Sequence, residues 1–271
     1  MIYLNSHKFL HEGWWRVHRL TVRTLLLELT RECNLSCKHC FRGESENTYM
    51  NPDLLNKVFK NTGRIHTLLL TGGEPFLAID QLRRLKDIIM TDMTNISDII
   101  IVTNGTVLND EIIKILKDIS TRADLEIRIS NDAFHNLELE KKNLINKKKE
   151  NIEILCNHFN VNSDLPNEKV YIVDRVGRAA NLTQADLDYI NNIDKRVKYV
   201  FGSDRRLEEY RKNYPLPILL DDDYIVDGSL NIDVFGNITP TYYSYSGEDN
   251  NRYSNIRGNK TLLKAITNVK N

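Results

Sequence analysis

From residue 24 onward, short apolar runs alternate with longer stretches in which apolar residues recur every three or four positions. Residues 24–29, 66–70, 98–103, 125–130 and 169–174 read as strands, with 197–201 a further candidate. A short apolar run bounded by turn residues suits a strand covered on both faces. Between these runs, 78–93 carries Ile79, Leu82, Leu85, Ile88 and Ile89 at helical spacing. Residues 109–119 predict another helix, and 137–159 a long charged one. Asn51-Pro52-Asp53 opens a further helix, because the asparagine side chain suits the cap and proline lacks only an N–H that the first turn leaves unpaired. Gly63 is its expected stop.

Strands alternating with helices of this length predict parallel βαβ units, an α/β fold. The pattern leaves an open doubly wound sheet and a barrel equally available. Tyr214-Pro215-Leu216-Pro217 reads as a linker. Beyond it, 230–233 and 237–238 flank Val234-Phe235-Gly236 as a hairpin, and 260–269 predicts a closing helix. The expected organisation is an N-terminal segment 1–21, a main α/β domain 22–213 and a small extension 214–271.

Composition narrows the setting more than the chemistry. The 271 residues have 27% charged and 41% hydrophobic side chains and a formal net charge of zero, enough for one large domain with a sizeable core. The neutral balance gives no electrostatic case for nucleic acid or an anionic membrane as partner. No apolar run approaches the roughly 20 residues that span a bilayer. The first 22 residues, with His7, His11, Trp14, Trp15 and Arg16, lack an apolar signal core and read as mature protein. Lys147-Lys148-Lys149 and Asp221-Asp222-Asp223 read as solvated surface, with a cation site the alternative for the aspartates.

The chemistry is concentrated in Cys33-Asn34-Leu35-Ser36-Cys37-Lys38-His39-Cys40. A [4Fe–4S] cluster normally takes four thiolates. Three on one short loop hold three irons and leave the fourth open to a ligand that is not protein. The rivals are a Cys3His zinc site using His39, which lacks a second ligand pair, and disulfides, for which three crowded cysteines and distant Cys156 make an odd framework. Thr71-Gly72-Gly73-Glu74-Pro75 follows the second strand, where glycines admit close backbone approach; a plain β-to-α turn is the alternative. Thr103-Asn104-Gly105 ends the third strand and Ser130-Asn131-Asp132 the fourth, followed by Phe134-His135. These are places where parallel barrels collect ligand-binding groups, though also common turn and cap sequences. Cys156 falls in a stripe with Ile152, Leu155 and Phe159, and core packing is its expected role.

The spacing Cys-x3-Cys-x2-Cys with His39 before the last cysteine, led by Leu-Leu-Leu-Glu-Leu-Thr at 25–30, resembles the radical S-adenosylmethionine (SAM) superfamily. The glycine motif one β/α unit later is similar to that family's SAM-binding turn. The resemblance implies a partial (β/α)6 TIM-like barrel with a small C-terminal hairpin and helix extension. It implies two cofactors, a [4Fe–4S] cluster and SAM, whose reductive cleavage releases a 5′-deoxyadenosyl radical that abstracts hydrogen from a substrate. Cys33, Cys37 and Cys40 are the implied catalytic cluster ligands. His39 is implied near adenine, chiefly through its backbone; Gly72, Gly73 and Glu74 at the methionyl amine; Thr103 and Asn104 beside the SAM-binding face; and Ser130 and Asp132 at the ribose. Val176-Gly177-Arg178-Ala179 is similar to a turn of peptide-modifying members; Arg178 is a candidate to pair with a carboxylate of SAM or substrate, with an ordinary surface arginine the alternative. Some epimerising members use a lone thiol to return a hydrogen atom, the alternative for Cys156.

The tail, from Leu230 to Pro240 with Asn255-Ile256-Arg257-Gly258, resembles the start of a SPASM or twitch extension, but Thr241 stands where a cysteine for an auxiliary cluster is expected. Tyr242, Tyr243 and Tyr245 there are candidates to face a substrate, with strand packing the plainer reading. The substrate implied first is a ribosomally made peptide or protein side chain. A small molecule such as a nucleoside or amino-acid derivative is the alternative, and a non-catalytic binding protein a third. An electron donor such as ferredoxin or flavodoxin, and a cytoplasmic location, complete the expectations.

Overall fold

The computed structural model describes residues 19–91, 94–163, 170–202, 218–220, 223–239, 254–256 and 261–267. The histidines and tryptophans of the N-terminal segment, the Tyr214–Pro217 linker, Asp221, Asp222, Thr241, the nearby tyrosines and Arg257-Gly258 lie outside them.

Three β/α units and a fourth strand come first: β1 (Leu20–Glu28), α1 (Pro52–Phe59), β2 (Thr62–Thr71), α2 (Ile79–Met90), β3 (Asn95–Thr103), α3 (Asp110–Ser120) and β4 (Asp124–Ile129). Then follow α4 (Ala133–Lys141), α5 (Ile145–Cys156), β5 (Asn160–Ser163), β6 (Val170–Val173), α6 (Gln184–Ile193) and β7 (Lys198–Phe201). The tail supplies β8 (Ile218–Leu220), β9 (Asp223–Ile232), β10 (Asn237–Thr239), β11 (Ser254–Asn255) and α7 (Leu262–Thr267). β1 to β5 pair in sequence order, all parallel, as an open sheet. β6 and β7 form a separate parallel pair. The result is an α/β fold of the partial-barrel type, in which the loops after parallel strands gather at one end of the sheet.

Leu25, Leu27, Ile65, Leu68, Leu70, Ile99, Ile101 and Ile127 have no exposed surface and pack against Leu55, Leu82, Leu85 and Leu116 of the helices. Asn51 caps α1 as expected, its side chain accepting from the Asp53 amide. The stop lies earlier than Gly63: α1 ends at Phe59, Asn61 takes the left-handed backbone (φ 68°), and Gly63 sits inside β2.

The long helix expected over 137–159 is two helices. Asn143 (φ 55°) breaks it, and the Leu144 amide closes the end of α4 on Leu139 O at 2.9 Å. Two expectations on α5 change with it. Lys148 is buried rather than solvated, its ammonium donating to Ser130 O at 2.6 Å. Cys156 is exposed at the last turn rather than packed in the core, while Leu155 is buried.

The tail does more than cap the domain. β9 pairs in parallel with β1, on the side opposite β2, and turns back through Gly236 (φ 79°) into antiparallel β10. The Val234-Phe235-Gly236 hairpin is thus as the sequence predicts, but its first strand belongs to the main sheet.

Candidate active site

The loop after β1 carries the three cysteines along one wall of a cavity of about 260 Å³. Backbone bonds give the loop its shape: Cys33 N donates to Ser45 Oγ at 2.9 Å, Leu35 N to Cys33 Sγ at 3.4 Å, and Cys40 N to Cys37 O at 3.1 Å. All three thiols line the cavity and none is in a disulfide. Burial, with Glu74 and the two neighbouring thiols behind it, pushes the Cys33 thiol up to about 12.

Gly72 and Gly73 line the same cavity. Their need for glycine comes from the cysteine loop itself. A Cβ on Gly72 would stand 2.6 Å from Thr30 O, and one on Gly73 2.3 Å from Glu32 O. Gly73 N donates to Thr30 O at 2.7 Å and Glu74 N to Glu32 O at 2.8 Å, so the two loops run side by side. Glu74 has no exposed surface and does not line the cavity. Its carboxylate accepts from Phe76 N (3.0 Å), Thr103 Oγ1 (2.7 Å) and Asn104 N (2.8 Å). Burial raises its pKa, opposed by these hydrogen bonds. Glu74 therefore ties the second loop to the third. Asn104 in turn donates to Asn34 Oδ1 at 2.9 Å, and Thr103 and Asn104 both reach the cavity wall.

At the end of β4, Ser130 lines the cavity and is held through its carbonyl by Lys148. Asp132 caps α4 by accepting from His135 N at 3.1 Å and pairs with the His135 ring. His39 Nε2 lies 3.4 Å from the same carboxylate, and its ring stacks on Phe134 at 4.6 Å. Burial opposes the charge on Asp132, but the two imidazoles outweigh it and hold its carboxyl well below the usual range. Burial would likewise lower His135, yet Asp132 and Cys37 raise it well above its ordinary value.

Arg178 approaches from the turn after β6. Its backbone N–H donates to Cys40 O at 2.8 Å, its Nε to Cys37 O at 2.9 Å, and it pairs with Glu44 at 3.4 Å. Gly177 (φ 59°) permits this contact, since a Cβ there would meet Phe41 O at 2.3 Å. Sequence reasoning missed a second clamp. Arg42, on the cavity wall, pairs with Glu28 at the end of β1 and donates to Thr71 Oγ1 at 3.1 Å. Glu28 is fully buried; burial raises its pKa against the pull of Arg42 and Arg31. Its other oxygen accepts from Val234 N at 3.3 Å, which links the tail hairpin to the cysteine loop. A glutamate inside the otherwise apolar run Leu25–Leu29 was the available signal.

The profile of the Radical SAM superfamily matches residues 27–169, just over half of the chain. The chain belongs to the radical SAM superfamily. Among curated relatives, a probable GTP 3′,8-cyclase of Pyrococcus horikoshii is 36% identical over 94 residues, covering 32% of this chain and 28% of that protein. The GTP 3′,8-cyclase of Parasynechococcus marenigrum is 35% identical over 104 residues, covering 33% and 29%. The chain thus matches less than a third of the length of these relatives. The solved structure of native anSMEcpe with bound AdoMet and Cp18Cys peptide superposes with a TM-score of 0.52 at 14% identity, covering 90% of this chain and 79% of that one, a likeness of fold.

Membership brings the family's cofactors, a [4Fe–4S] cluster and SAM, and the residues present fit them. Among the described residues, the one group of three His, Cys, Asp or Glu donors drawn within 4.8 Å of one another is His39, Asp132 and His135, not the thiols. Three free thiols on one short loop supply the soft donors that an iron–sulfur cluster takes. His39 Nδ1 is buried beside the cavity without a partner, and the Ser130 hydroxyl makes no hydrogen bond among the described residues.

Proposed function

We propose that this chain cleaves SAM reductively and uses the 5′-deoxyadenosyl radical to abstract hydrogen from a ribosomally made peptide or a protein side chain. The observation that carries the chemistry is the meeting of three free thiols, the Gly72-Gly73 turn and Ser130 around one cavity. When bound, the reduced cluster supplies the electron that breaks the C–S bond of SAM. Cys33, Cys37 and Cys40 bind three irons. Gly72 and Gly73 offer backbone groups to the methionyl end, and Ser130 offers its hydroxyl to the ribose. Glu74 acts behind them by fixing Thr103 and Asn104, and Asp132 by fixing His39 and His135. Arg178 and Arg42 hold the cysteine loop against the sheet. Leu35, Val102 and Val173 on the wall keep water from the reacting atoms.

The peptide reading is supported by the Gly177-Arg178-Ala179 turn and the tail's likeness to a twitch extension. A small-molecule substrate is the second reading, favoured by the relatives named GTP 3′,8-cyclase. The reading places the chain in the cytoplasm with a flavodoxin or ferredoxin as electron donor; among the described residues, no helix is long and apolar enough to cross a membrane. The test is anaerobic reconstitution with iron and sulfide, then reduction with SAM present. 5′-Deoxyadenosine that forms in the wild type and not in Cys37→Ala supports the chemistry. No cleavage of SAM by a fully loaded protein leaves a non-catalytic binding protein instead. Deuterium transferred into 5′-deoxyadenosine from a labelled peptide encoded beside this gene, and not from labelled GTP, separates the two substrate readings.

A further inference from the structure

Asp174 stands just past the end of β6, on the same cavity wall as Tyr171, Ile172 and Val173. It is only 6% exposed, and its Oδ1 is buried without a hydrogen-bond partner. Its carboxylate has no hydrogen bond or ion pair among the described residues. Every other charged group on this wall is engaged: Arg42 with Glu28 and Thr71, Arg178 with Cys37 O and Glu44, Asp132 with His135 and His39.

The position is built rather than accidental. Val176 N donates to Asp174 O at 2.9 Å, and Gly202 N to Val173 O at 2.9 Å, which fixes the backbone on both sides. A Cβ at Gly202 would stand 2.0 Å from Asp174 Oδ1, so the carboxylate fits only because glycine faces it. Oδ1 is enclosed against Gly202, while Oδ2, which is not buried in this way, has no partner among the described residues and is the oxygen left for a group in the cavity. A carboxylate with no donor opposite it regains nothing for the hydration it gives up. Ile172 and Val173 beside it offer no side-chain donor.

We propose, resting on the function assigned above, that Asp174 is a ligand-binding residue whose carboxylate accepts from an N–H-bearing group of the molecule filling the cavity. An amine, amide or guanidinium meets this requirement, with the strongest bonds from a cationic donor. An anionic group is repelled. The donor belongs either to SAM, which carries an ammonium and an exocyclic amine, or to the substrate whose hydrogen is abstracted. In the second case the site selects a substrate with a basic or amide nitrogen close to the reacting carbon.

The test uses reconstituted protein free of SAM. Asp174→Asn keeps the shape but removes a carboxylate that has no partner among the described residues, so the melting temperature rises by about 2–4 °C. Asp174→Ser moves it in the same direction. A carboxylate with a merely structural role has the opposite signature, since its removal lowers the melting temperature. Equilibrium dialysis with radiolabelled SAM then assigns the donor. A loss of affinity of about tenfold or more in Asp174→Asn places the donor on SAM; a smaller loss places it on the second substrate. An unchanged or lowered melting temperature in both variants overturns the proposal. Wild-type protein that fails to cleave SAM overturns the assigned function instead, and is read in a separate assay.

Discussion

The guanidinium Nε of Arg178 donates to the carbonyl oxygen of Cys37 at 2.9 Å, across 141 residues of chain. The turn after β6 thereby holds the loop after β1 from outside. Groups that orient metal ligands typically change metal affinity by about 10–100-fold when removed. Arg178→Ala is expected to lower cluster retention by that order, read by iron loss to a competing chelator under anaerobic conditions. Retention equal to the wild type would show the clamp to be dispensable.

Alanine in place of Cys33, Cys37 or Cys40 is expected to abolish a stable [4Fe–4S] cluster. Among the described residues no other cysteine lines the cavity, because Cys156 is exposed on α5 and absent from that wall. Cys156→Ser therefore leaves iron content and SAM cleavage unchanged. Iron and sulfide analysis with electron paramagnetic resonance of the reduced protein checks both; a Cys156→Ser variant that cleaves SAM but releases unaltered substrate would restore the hydrogen-donor role for this thiol.

Glu74→Gln turns an amide nitrogen toward at least one of three donors, Phe76 N, Thr103 Oγ1 or Asn104 N. Leaving a buried donor without an acceptor costs about 1–3 kcal/mol. The loss is expected in urea unfolding at unchanged denaturant slope, together with weaker SAM binding as Asn104 loosens. Full stability in Glu74→Gln would mean that the carboxylate is not what joins the two loops.

Lys148 gives a pH signature. Burial lowers its pKa from 10.5 to about 8. Between those values the unfolded chain binds more protons than the folded one, so folding gains stability as pH rises through this window. Below pH 8 the buried charge is carried in full. The whole change corresponds to about 3 kcal/mol. The stability difference between wild type and Lys148→Met is expected to move toward the wild type by that order between pH 8 and 10. A difference that stays flat would place the ammonium in water.

The parts of the site that were legible in the sequence are local. Three cysteines within eight residues, two glycines before a glutamate, and polar tripeptides at strand ends are spacings along the chain, and the structure brings Cys33, Cys37, His39, Cys40, Gly72, Gly73, Thr103, Asn104, Ser130, Asp132 and Arg178 to one cavity. Strand and helix alternation was equally plain, because apolar period depends only on neighbours. Glu74 shows where this stops. Its motif is visible, but its use as a buried tie to Thr103 and Asn104 depends on how β2 and β3 lie side by side.

What the sequence by itself determined was the chemistry available, thiolates spaced for an iron–sulfur cube, and the repeating β/α units that carry them. Only the tertiary structure decided which polar groups remain open to a ligand. Charge runs and apolar stripes do not reveal that Lys148 is buried, that Cys156 faces solvent, or that the Asp174 carboxylate on the cavity wall has no partner among the described residues. Those outcomes depend on contacts between residues far apart in the chain, such as Glu28 with Val234 and Lys148 with Ser130, and hydrogen-bond satisfaction is a property of the folded neighbourhood rather than of the residue.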